Sequence, residues 1–107
     1  VNANTTPNKV LVVDDVETNL TVFAKVVGQI PETEAVCFTS AVKALEWAGQ
    51  NECVLIIVDQ SMPELSGIEF ISQVRSRGNS YTPIVMITGH SEKELQREAL
   101  KLGASAF

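Results

Sequence analysis

Three short stretches of this chain are apolar at every position, and each runs into a polar group. Val10-Leu11-Val12-Val13 meets Asp14-Asp15, Val54-Leu55-Ile56-Ile57-Val58 meets Asp59, and Ile84-Val85-Met86-Ile87 meets Thr88. Unalternating apolar runs of this length suit strands covered on both faces, as in parallel sheets. A fourth run, Glu34–Phe38, alternates more and suits an edge strand. Between the runs the apolar spacing becomes helical, and β-α repeated about four times predicts a parallel sheet with crossover helices.

The helical segments are marked as follows. Val16, Leu20, Phe23 and Val27 make one inward stripe that Gly28 ends. Ser40 caps a second helix, with Val42, Leu45 and Ala48 inward up to Gly49 and Trp47 just off the stripe. A loop with Met62-Pro63 leads through Gly67 to a third helix lined by Ile68, Ile71 and Val74. Ser91 and Glu94 form a capping box for a fourth, carrying Leu95, Ala99 and Leu102 and stopped by Gly103. Ala104 to Phe107 reads as the start of a fifth strand.

If the first and third strands are parallel neighbours, Asp14, Asp15 and Asp59 converge at the sheet edge where open α/β folds place their ligands. At about 5 Å and an effective dielectric near 20, each pair repels by roughly 3 kcal/mol. Set against a total stability of about 5 to 15 kcal/mol, that needs relief. A hard divalent cation supplies it, because Mg²⁺ favours one or two carboxylates with waters and phosphate oxygens, and phosphoryl chemistry is the natural use of such a site.

The 107 residues suffice for one domain with a core of its own, and 45% hydrophobic with 20% charged residues is ordinary for a globular fold. A net charge of −5 argues against direct contact with nucleic acid. Cys37 and Cys53 stand in apolar, strand-like contexts and read as small buried hydrophobes, which favours a cytoplasmic location. Residues 1–8 read as a flexible polar lead-in, without a signal peptide, and no apolar run approaches the roughly 20 residues of a membrane span.

Four motifs in order, Val12-Val13-Asp14-Asp15, Val58-Asp59-Gln60-Ser61-Met62-Pro63-Glu64-Leu65-Ser66-Gly67, Ile87-Thr88-Gly89-His90 and Gly103-Ala104-Ser105-Ala106-Phe107, give the chain its resemblance to response-regulator receiver domains. The resemblance covers residues 9–107 and implies a flavodoxin-like doubly wound sheet of order 2-1-3-4-5. It implies phosphotransfer from a sensor histidine kinase or phosphotransfer protein, and a conformational change that regulates an output domain or downstream protein. Asp59 matches the phosphoacceptor. Asp15 matches the direct ligand of Mg²⁺ (or Mn²⁺) and Asp14 the ligand acting mainly through water, with Asp59 and the backbone carbonyl of Ser61 as further ligands. Thr88 matches the switch hydroxyl and Phe107 the coupled aromatic. Ser61 and His90 stand where the family tunes acyl-phosphate lifetime, although a lone loop histidine is more often idle. The Thr18-Asn19-Leu20 sequence hints at receivers of hybrid kinases and cyclic-dinucleotide enzymes. Such a domain is only loosely an enzyme, since it turns over only its own aspartyl phosphate.

The sequence stops short of the family's lysine beyond the aromatic and of its last helix. The expectation is therefore a sheet face covered either by further polypeptide or by a second copy, through swapping or dimerisation. A phosphorylation-independent dimerisation or docking module is the alternative function. A phosphohydrolase of another α/β family has less support, because no second aspartate follows Asp59 by two positions. Pro63 and Gly67 read as architectural, Gly67 through its access to positive φ, while Arg75, Arg77 and Lys93 read as solvated charges.

Overall fold

In the computed structural model, residues 7–87 and 93–106 are described, with side chains given for all of these except 93–96. The element order is β1 (Asn8–Val13), α1 (Glu17–Gly28), β2 (Thr33–Phe38), α2 (Ala41–Gln50), β3 (Leu55–Asp59), α3 (Gly67–Ser76), β4 (Ile84–Ile87) and α4 (Lys93–Leu102). All strand pairs are parallel and the sheet order is β2-β1-β3-β4, so the alternating Thr33–Phe38 does lie at an edge. Beyond α4 the chain returns beside β4: Ser105 N–H donates to Ile84 O, Met86 N–H donates to Ala106 O, and Val85 bridges Ala106 in parallel. That is the expected beginning of a fifth strand.

The apolar runs of β1, β3 and β4 send alternate side chains to opposite faces, buried throughout in Val10–Val13 and alternately buried and half-buried in β3 and β4. Leu11, Val13, Ile56, Val58, Ile84 and Met86 meet α2, α3 and α4 in the main core. Val10 and Val12 meet Leu20 and Val27 of α1 on the other face, where Leu55 and Ile57 are only half-buried. Helices thus lie on both faces, the flavodoxin-like α/β arrangement.

Several helical faces differ from the sequence expectation. Val16 is 45% exposed and serves as the α1 N-cap rather than opening its buried stripe. Val42 is 44% exposed, and α2 packs through Ala41, Ala44 and Leu45, since small side chains let a helix approach the sheet closely. Phe70, absent from the expected stripe of α3, is its largest buried side chain. Cys37 is exposed on the edge strand, contrary to its reading as a buried hydrophobe, while Cys53 is half-buried. Arg75 is not a solvated charge: its Nε and Nη2 donate to Gly103 O at 3.1 and 2.7 Å, and its Nη1 donates to Asn79 O at 3.2 Å. It pins the end of α4 to α3, at a turn where Gly103 has φ +120°. The capping box expected of Ser91 and Glu94 falls outside the described residues.

Candidate functional site

Strand register brings the acidic groups together. Val13 pairs with Val58, so the residues that follow, Asp14 and Asp59, stand side by side at the C-terminal end of the sheet. Asp15 follows on the turn into α1. One carboxylate oxygen from each of Asp14, Asp15 and Asp59 lies within 4.8 Å of the others.

The three groups sit in different surroundings. Asp14 is 4% exposed, Asp59 is half-buried and Asp15 is exposed. Asp14 is therefore no solvated residue at a helix start. Its Oδ1 accepts the Val16 N–H at 2.9 Å and its Oδ2 accepts from Asn19 Nδ2 at 3.1 Å. Burial pushes the Asp59 carboxyl above its ordinary value, the charges of Asp14 and Asp15 push it further, and backbone hydrogen bonding by Gln60 and Ser61 opposes the rise.

The loop after β3 is tied down from several sides. Gln60 N–H donates to Ile87 O, Gln60 O accepts from Gly67 N–H, and Gln60 Oε1 accepts from Ile68 N–H. The first turn of α3 is thus fastened to the residue next to Asp59. A side chain on Gly67 would place Cβ 2.7 Å from Asp59 O, so glycine is required there by close approach and not by the positive φ expected from its sequence context. Ser66 and Glu69 form a capping box at the α3 start, and Ser40 Oγ donates to Glu64 Oε1 at 2.8 Å across the loop. The box was legible as Ser-x-x-Glu in the sequence; the Gln60 and Asn19 contacts carry no comparably specific sequence signal.

Hard oxygen donors in this arrangement suit a small divalent cation. Two ligands at about 2.1 Å on opposite sides of Mg²⁺ stand about 4.2 Å apart, so the observed spacing accepts the ion with little movement or with water completing the shell. Ser61, whose carbonyl the resemblance makes a further ligand, is exposed two residues beyond Asp59. Thr88 and Phe107, the expected switch residues, lie outside the described residues, as does His90. A depression of about 1020 Å³ opens at the opposite end of the strands, between Lys9, Cys53, Arg77 and Tyr81, well away from the aspartates.

Comparison with known proteins agrees with this geometry. Residues 10–107 match the response regulator receiver domain family, and the chain belongs to that family. It is 37% identical over 71 residues to the response regulator protein TmoT of Ectopseudomonas mendocina, covering 66% of this chain and 32% of that protein. It is 34% identical over 106 residues to the transcriptional regulatory protein YdfI of Bacillus subtilis, covering 94% of this chain and 46% of that protein. The chain therefore spans less than half the length of these relatives. Among solved structures it is similar to the Vibrio cholerae chemotaxis protein CheY4, with a TM-score of 0.87 and 29% identity over 94% of this chain and 83% of that one. Membership supports a phosphoacceptor signalling role within two-component signal transduction. Receiver domains generally bind Mg²⁺ at an acidic pocket, and the three aspartates form such a cluster here.

Proposed function

We propose that this domain accepts a phosphoryl group on Asp59 in a Mg²⁺-dependent reaction, from a sensor histidine kinase or phosphotransfer protein, and then alters its contacts with an output domain or downstream protein. The observation that carries the reading is the convergence of three carboxylates within 4.8 Å at the C-terminal edge of a receiver fold.

In this reading a carboxylate oxygen of Asp59 attacks phosphorus, the phosphorus–nitrogen bond of the phosphohistidine breaks, and the departing imidazole nitrogen keeps the electron pair. Asp59 must be ionised to attack, and the hydrogen bonding by Gln60 and Ser61 favours that form. Asp14 and Asp15, with the Ser61 carbonyl, would hold the cation. When bound, the ion offsets the negative charge that collects between carboxylate and phosphoryl group. Asp14, buried and hydrogen-bonded on both oxygens, is the more rigidly held of the two carboxylates, and exposed Asp15 would be free to adjust to the ion. Thr88 is assigned the hydroxyl that donates a hydrogen bond to a phosphoryl oxygen after transfer, and Phe107 the aromatic whose rotamer follows it.

A cytoplasmic location goes with this reading. Both cysteines are free, and among the described residues no helix is long and apolar enough to cross a membrane. One observation favours a second reading, self-association or docking independent of phosphorylation. On the α1 face Leu55, Ile57, Val85 and Ile87 are only half-buried, and Val22 and Val26 of α1 are exposed.

Intact mass after incubation with Mg²⁺ and a small acyl phosphate separates the two. A gain of one phosphoryl group that disappears in Asp59→Asn and in excess chelator is expected. No modification of the parent chain would leave the second reading in place of the first, and full modification of Asp59→Asn would remove Asp59 as the acceptor.

A further inference from the structure

We propose that Asn19 is a positioning residue for the cation site, acting through the carboxylate of Asp14. The inference rests on the phosphotransfer reading above and adds to it a residue from α1, outside the acidic cluster itself.

Asn19 sits on the first turn of α1, five residues beyond Asp14, and its Nδ2 reaches back to Asp14 Oδ2 at 3.1 Å. An ionised carboxylate only accepts, so the amide must present its NH₂ group in that direction. The helix N-cap, Val16, has no side-chain oxygen with which to cap the turn. Asp14 Oδ1 instead receives the N–H of this N-cap residue itself, at 2.9 Å, just ahead of the first helical turn. Two different donors, one on each oxygen, therefore fix the plane of a carboxylate that is 4% exposed.

A carboxylate has about four lone-pair sites, so two remain for a cation or its waters, and their direction is set by the two that are used. Donor chemistry matters as much as geometry. A lysine or arginine at position 19 would orient Asp14 equally well, but its charge would compete with the ion. A neutral amide orients the oxygen and leaves the negative charge available. Donors behind a ligating group act in this way at metal sites generally, and losing one costs about 10- to 100-fold in affinity.

The test is calorimetric titration of the whole chain with Mg²⁺, comparing the parent with Asn19→Leu, which keeps the shape and removes the donor. Thr21→Ala is the control, because Thr21 Oγ1 donates only to Glu17 O within the same helix. Asn19→Leu is expected to weaken Mg²⁺ binding about tenfold, with Thr21→Ala within about twofold of the parent. Phosphorylation by a small acyl phosphate should then need more Mg²⁺ yet reach a maximal rate within about threefold of the parent's at saturation. If Asn19→Leu does not fold by circular dichroism, Asn19→Ala, with the better helix former, carries the comparison. Mg²⁺ affinity unchanged in the Asn19 variant, or lost equally in Thr21→Ala, overturns the positioning role while the phosphotransfer reading stands. Absence of Mg²⁺ binding by the parent chain overturns both.

Discussion

Asp59→Asn removes one charge from a crowded cluster, and in the absence of divalent cation it is expected to make the domain more stable. At the limiting separation of 4.8 Å, a pair of carboxylates repels by about 0.9 kcal/mol in water and about 3.5 kcal/mol at an effective dielectric of 20. The pair with exposed Asp15 belongs near the lower figure and the pair with buried Asp14 nearer the higher. Hydrogen bonding by Gln60 and Ser61 favours the charged form and offsets part of the sum. The expected net stabilisation is about 1 to 3 kcal/mol, or roughly 5 to 15 °C in Tm for a domain of this size. The pH dependence has a definite sign. Because the folded-state pKa of Asp59 is raised, the folded chain binds its proton more readily than the unfolded chain does, and stability falls as pH rises through the folded value. The advantage of Asp59→Asn should therefore be complete at neutral pH and shrink as the pH is lowered through that value. Mg²⁺ acts in the other direction, since a ligand at about 100 times its Kd stabilises the parent by about 2.7 kcal/mol. Urea denaturation of both proteins, with EDTA and with Mg²⁺, measures every part of this. An Asp59→Asn variant no more stable than the parent in EDTA at neutral pH would refute the electrostatic reasoning.

Other substitutions have equally definite outcomes. Gly67→Ala drives a methyl group to within 2.7 Å of Asp59 O, and should cost about 1 to 3 kcal/mol in denaturation while slowing phosphorylation of Asp59. Arg75→Met removes three guanidinium hydrogen bonds that join α3, Asn79 and Gly103, and a loss of about 2 kcal/mol is expected, with amide exchange rising first at the end of α4. Ser66→Ala deletes the α3 cap and should cost about 1 kcal/mol in the same denaturation assay.

Much of the architecture was legible because it depends on pattern. Apolar runs without alternation marked the central strands, the more alternating Glu34–Phe38 marked the edge, and the aspartates ending two runs met because parallel register requires it. Helical faces were less legible where apolarity and burial part company. Val16 and Val42 are hydrophobic but exposed, whereas Ala41 and Ala44 are buried because α2 lies close against the sheet. Interactions with the main chain were harder still. The acceptors of Arg75 are carbonyl oxygens, one of them 28 residues away, and main-chain oxygens leave no trace in a residue pattern. Gly67 shows the same limit: a glycine in a loop suggests conformational freedom, while the structure demands space beside Asp59. The site itself was readable as charge but not as support. The three carboxylates stand out in the sequence, yet the Asn19 and Gln60 side chains that hold their surroundings became evident only from geometry.

The central claim, that Asp59 is the nucleophile, is tested most directly by locating the phosphoryl group. Reductive cleavage of the acyl phosphate with borohydride converts the modified aspartate to homoserine, and peptide mass mapping then assigns its position. The account predicts homoserine at position 59 alone, dependent on Mg²⁺. Homoserine at position 14 or 15, or none after incubation with Mg²⁺ and acyl phosphate, would contradict it.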